Sequence, residues 1–141
     1  MKPTTKALAA AAIAFVLVHV NAPESPNVPS VGPMRALILH DNTQDVQLPA
    51  EQQAVYHSQI IDQWLDEHTP KEADGEHSHR VWDVQTDVKN MPQVWQDWMR
   101  DTKAKATKLP WLRAEKGRKR YNGALPKDVP STLEVLKKVG E

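Results

Sequence analysis

The chain contains no cysteine in 141 residues. That excludes disulfides, thiolate metal sites and any thiol nucleophile. It leaves the compartment open, because a cysteine-free protein is stable in either redox environment. Net charge is missing too, since 18 Lys and Arg balance 18 Asp and Glu. A neutral chain lacks the broad basic footprint of a nucleic-acid binder, which argues against such a partner while leaving room for a local patch. Aromatic residues are sparse at 6%, yet five of them are Trp. Tryptophans used this way anchor a small core. There is no internal repeat, and the length suits one small domain with its terminal extensions.

The first segment differs from the rest. Lys2 and Lys6 precede an apolar run from Ala7 to Val20. A basic start followed by about 14 apolar residues matches the pattern of a secretory signal. The run is short for a membrane span, which needs roughly 20 residues. Val20-Asn21-Ala22 suits a cleavage site, but Pro23 disfavours a cut. The segment can instead remain as an anchor with its lysines held in the cytoplasm. The expectation is a signal peptide or N-terminal membrane anchor over 1–22, with membrane association through residues 7–20. An Ala-rich helix packed on the domain is the alternative. Pro23, Pro26, Pro29 and Pro33 then recur every third or fourth residue, a spacing that favours an extended linker over 23–33. This order puts the domain, 34–141, outside the cytoplasm, either secreted or periplasmic or held at a membrane.

Within the domain, Ala36-Leu37-Ile38-Leu39 is a continuous apolar run, as expected of a buried central strand. A polar loop from His40 follows. Pro49 suits a helix start, and Tyr56, Ile60 and Trp64, with Ile61 and Leu65 beside them, predict one helical stripe between Ala50 and Glu67. A charged, Gly-containing loop leads to a second strand over Arg80–Gln85. Met91, Val94, Trp95, Trp98 and Met99 fall at i, i+3, i+4, i+7 and i+8, a helix that Asp87 or Asn90 can cap. After Pro110 come a short strand, a turn at Lys116-Gly117, a second strand and the exit Gly123-Ala124-Leu125-Pro126. A last helix starts at Asp128 or Val129, with Val129, Leu133 and Leu136 facing inward.

Leu109-Pro110-Trp111-Leu112 leading into a strand, the Lys116-Gly117 turn, Tyr121 to Pro126 leaving it and the closing amphipathic helix together resemble the thioredoxin-like fold. The resemblance covers about 34–141. It implies an α/β, βαβ-α-ββα three-layer sandwich, preceded here by the N-terminal apolar helix and Pro-rich linker. It also implies a cis proline at Pro110 facing the loop at His40. In the family that loop carries a redox Cys-x-x-Cys. Here it has no Cys, so thiol–disulfide exchange is excluded.

Candidate site residues follow from this frame. The resemblance implies a binding groove around Leu109, Pro110 and Trp111, faced by His40, Asp41 and Asn42. An acid–base pair among His40, Asp41 and Asp45 fits the carboxyl end of a strand, but a polar capping loop accounts for them equally. His77 and His79, with His68, are metal candidates only as a short His-rich tract, and no metal is expected there. Arg113, Lys116, Arg118, Lys119 and Arg120 make the hairpin basic. Such residues protect a sheet edge from pairing with another chain, or else meet an acidic partner or membrane surface. The expected function is a non-catalytic, redox-inactive module that binds a protein or an extended peptide beside Pro110, with no cofactor. Two alternatives stand beside it: a structural or assembly component, such as a virion or envelope protein, anchored by its N-terminal helix, and a His/Asp-dependent enzyme or metal-binding protein.

Overall fold

The apolar run forms β1, Met34–His40, in the computed structural model, which describes residues 33–141. The signal or anchor expected over 1–22, and the Pro-rich linker apart from Pro33, lie outside the described residues. The chain then forms α1 (Ala50–Gln53), α2 (Gln59–His68), β2 (His79–Asp83), α3 (Gln93–Lys105), β3 (Trp111–Lys116), β4 (Lys119–Ala124) and α4 (Val129–Gly140). The four strands make one mixed sheet in the order β2-β1-β3-β4. β1 pairs parallel with β2 and antiparallel with β3, and β3 and β4 form the hairpin. β1 is therefore internal, as its unbroken apolar run predicts.

That run has a two-sided cause. Met34, Ala36 and Ile38 pack with Leu112, Ala114, Ile61, Trp64, Leu65, Leu136 and Val139 beneath α2 and α4. Leu37 points the other way and packs with Trp95 and Trp98 of α3. A strand buried on both faces cannot alternate apolar with polar. Helices thus cover both faces of the sheet. Among the described residues, no helix is long and apolar enough to cross a membrane.

The helix predicted between Ala50 and Glu67 is in fact broken. α1 runs into a 3-10 turn over Ala54–His57, and α2 starts afresh at Gln59. Ser58 is extended, and its hydroxyl accepts the Ile61 N–H at 3.2 Å, so it acts as a new N-cap where one stripe was expected. The break also corrects the stripe: Ile61, Trp64 and Leu65 are buried, while Ile60 is exposed. β2 ends at Asp83, short of the Gln85 expected, because the Asp83 carboxylate turns the chain by accepting the Gln85 N–H. α3 is preceded by Pro92 with no side-chain cap, whereas Asp87 caps a turn at Lys89 instead. The hairpin and last helix match expectation. Gly117 takes φ +60 at the turn, a conformation that favours glycine, and Asp128 accepts the Ser131 N–H at the start of α4.

At the far end of α4 the packing admits no side chain at Gly140. A Cβ there would lie 2.7 Å from the Trp64 ring and 2.9 Å from the Met34 sulfur. Trp64 is itself stacked on His68 at 3.8 Å between centroids, so it has little room to move. Gly140→Ala is expected to destabilise the domain by about 1–3 kcal/mol, the usual cost of overpacking. Chemical denaturation with an unchanged m-value checks it.

Candidate functional site

The carboxyl end of β1 gathers most of the groove residues. In register, His40 lies opposite Asp83 at the end of β2. On the other side Leu39 pairs with Trp111, so Pro110 stands one step beyond, at the same edge as His40. The Leu109–Pro110 bond is cis, as the resemblance implied. The Pro110 carbonyl accepts the Leu125 N–H at 3.0 Å, which ties the start of β3 to the exit of β4. Gln52 of α1 reaches the same exit, donating to the Leu125 and Pro126 carbonyls at 2.9 and 3.2 Å. Pro110 is thereby framed by α1, the β4 exit and the end of β1.

His40 is held in place from two directions. Its Nδ1 is 2.8 Å from Asp45 Oδ2, and its ring stacks on Tyr56 at 4.4 Å between centroids. The Tyr56 hydroxyl donates to the other Asp45 oxygen at 3.2 Å. Burial pushes the Tyr56 phenol well above its ordinary value, and the Asp45 charge and hydrogen bond push it further. It therefore remains a neutral donor. Asp83 accepts the backbone N–H of Asn42 and of Gln85, both at 2.7 Å. Those bonds, the Asn42 one first, hold its carboxyl below the ordinary range, with the His40 charge adding to them. Asp83 thus pins the loop after β1 to β2.

Asp45 is consequently the acid that pairs with His40. Asp41 turns back on its own loop and accepts from the Thr43 backbone and hydroxyl at 3.0 and 2.7 Å. Trp111 departs from the groove expectation. It shares a sheet face with Arg113, the face opposite Leu112, and is buried there with its indole N–H on Asn122 Oδ1 at 2.6 Å. Sequence reasoning missed Gln52, Tyr56 and Asp83. Each was legible only as a helix or strand residue, and its role comes from partners 11 to 74 positions away or from the strand register.

The other candidates take separate partners. Lys116 and Lys119 reach the C-terminus of α4, donating to the Gly140 and Glu141 carbonyls. Positive charge there complements the helix dipole. Arg113 lies on the opposite face and donates to Glu115 at 2.9 Å. The basic hairpin is therefore divided between two faces, with Arg118 in the turn and Arg120 opposite Glu115 in register. His77 bonds the Thr69 carbonyl at 2.8 Å, and His79 pairs with Asp66 at 2.7 Å. His68 bonds the Trp64 carbonyl and stacks on the Trp64 ring. Among the described residues, no group of three or more His, Asp or Glu is placed to hold a metal ion. No family model matches the chain, and neither a curated protein nor a solved structure does.

Proposed function

We propose that the chain carries a redox-inactive, thioredoxin-like module that binds a protein partner through an extended peptide laid along the Pro110 edge. The observation that carries this is at Leu109. Its backbone N–H and C=O make no hydrogen bond among the described residues, although it stands one residue before Pro110 beside an ordered sheet. Main-chain groups of this kind are obligatory hydrogen-bonding groups. A strand added beside them supplies the partners, with side-chain pockets adding specificity. The thioredoxin-like reading is supported by the parallel β1–β2 pair, the antiparallel β3–β4 hairpin beside β1, and helices on both faces. Without cysteine, the groove offers recognition and no thiol chemistry. The module sits outside the cytoplasm in this reading, led there by the N-terminal segment.

The test is a peptide-display selection on the full chain, followed by titration of the selected peptides. Binding is expected to slow hydrogen exchange at the Leu109 amide. Pro110→Ala is expected to weaken binding at least about tenfold, the worth of one or two main-chain hydrogen bonds. Peptides that bind Pro110→Ala undiminished, with Leu109 exchange unchanged, would sink the proposal.

A further inference from the structure

The α3 side of the sheet carries a row of arginines that the Pro110 groove does not use. Arg35 pairs with Glu115, and Leu37 with both Arg80 and Arg113. Arg35 is thus diagonal to Arg80 on one neighbouring strand and to Arg113 on the other, a spacing of roughly 7–8 Å. Arg35 begins five residues before His40, so the row lies towards the opposite end of β1 from Pro110.

The guanidinium groups are packed flat and held. Arg113 lies 3.9 Å from the centroid of the Trp98 ring, and Arg35 and Arg80 lie 5.2 and 4.8 Å from Trp95. Stacking of this kind leaves the planar N–H edges for acceptors. The acceptors on hand are few. Both Arg80 Nη atoms are engaged, one with Glu72 and Asp74 and the other with the His77 and His79 carbonyls. Arg113 spends its Nε on Glu115, and Arg35 reaches Glu72 through a single 3.3 Å contact. Glu72 cannot serve further, because it already accepts from Arg35, Arg80, Ser78 and the Trp95 indole. Arg35 Nε and Arg113 Nη1 are buried and have no hydrogen-bond acceptor among the described residues, and neither has Thr102 Oγ1, one turn along α3 from Trp98. Buried guanidinium donors without acceptors call for a partner, and a bound anion can be that partner.

We propose that Arg35 and Arg113, backed by Arg80, form a binding site for a phosphate-type oxyanion. A tetrahedral oxyanion presents acceptors in several directions, so it can meet donors arriving from two different strands. Arginine is the residue suited to that recognition. The group can be a free phosphate or one carried on a lipid headgroup.

The test follows the arginine side-chain Nε–H signals of the full chain by NMR. Titration with inorganic phosphate is expected to shift the Arg35 and Arg113 signals saturably, while chloride at matched ionic strength leaves them in place. Arg113→Gln and Arg35→Gln are expected to raise the phosphate Kd at least about tenfold, and Arg100→Gln, on the exposed face of α3, to leave it unchanged. Vesicles of phosphatidylglycerol and of phosphatidylcholine separate the two sources. Binding to the anionic vesicles that inorganic phosphate displaces identifies a headgroup, and phosphate binding without vesicle binding identifies a free ligand. Equal shifts with chloride, or no movement of either signal, would overturn the site even if the glutamine variants fail to fold. So would vesicle binding that phosphate does not displace.

Discussion

Glu72→Ala is expected to remove about 3 kcal/mol of stability, the low end of the range for breaking a buried ion pair, because water still reaches part of the carboxylate. Glu72 comes from a loop yet ties three elements together. Arg80 of β2 donates to it at 3.0 Å, Arg35 of β1 at 3.3 Å, the Trp95 indole of α3 at 2.9 and 3.0 Å, and Ser78 at 2.8 Å. Removing the carboxylate takes the acceptor from the Arg35 guanidinium, the Trp95 indole N–H and the Ser78 hydroxyl, and leaves Arg80 with only Asp74 and two carbonyls, so part of their desolvation cost is uncompensated. Thermal melting should show a drop in Tm of more than ~10 °C for a domain of this size.

The same carboxyl predicts a pH dependence. Burial pushes the Glu72 pKa up, but the hydrogen bonds from Trp95, Ser78 and Arg35 and the Arg80 charge outweigh it and hold the value below the ordinary 4.5. A carboxyl depressed in the folded state stabilises fully above its unfolded pKa and loses that contribution as pH falls through the folded value. The stability gap between wild type and Glu72→Gln should therefore be flat near neutrality and shrink below about pH 4.5. A gap that widens on acidification would contradict the arrangement.

Trp95→Ala is expected to cost about 3–5 kcal/mol, the range for deleting a fully buried aromatic. Trp95 has no exposed surface. Its ring meets Trp82 and Trp98 edge-on at 5.3 and 5.8 Å between centroids, and Arg35 and Arg80 lie over it. The substitution removes the centre of the whole α3-side core, not only one side chain's contacts. Near-UV circular dichroism should lose most of its tryptophan signal while the far-UV spectrum persists at low temperature. Trp95→Phe keeps an aromatic ring but not the N–H, so its smaller loss reports the Glu72 bond. The Glu72→Ala/Trp95→Ala double variant should lose less than the two single losses added together, since each removes the partner of the other.

Much of this fold was readable from local pattern. The α3 stripe, the Gly117 turn, the Pro110 lead-in and the Asp128 start of α4 each depend on residues within one or two turns of one another. The site was only partly readable. The sequence puts His40, Asp41 and Asn42 directly after the apolar run of β1, with Asp45 close to His40. In the sequence Tyr56 is only one member of a helical stripe, whereas in the fold, ahead of the break at Ser58, its ring stacks on His40. The basic hairpin illustrates the opposite failure. Five cations close in sequence read as one patch, but the pleat sends neighbouring residues to opposite faces, so Lys116 and Arg113 lie on opposite faces of the sheet.

By itself the sequence determined the absence of thiol chemistry, the two-faced burial of β1 and the order of strands and helices, because composition and periodicity are local properties of a chain. Only the tertiary structure decided that Glu72, in a loop with no motif, is the hub for Arg35, Arg80 and Trp95, that His68, His77 and His79 each bond a separate partner, and that the Leu109 backbone makes no hydrogen bond among the described residues beside Pro110. Those facts depend on strand register and on which side chains meet across the sheet. The Arg35–Glu72 contact alone joins residues 37 positions apart, where sequence spacing carries no geometric information.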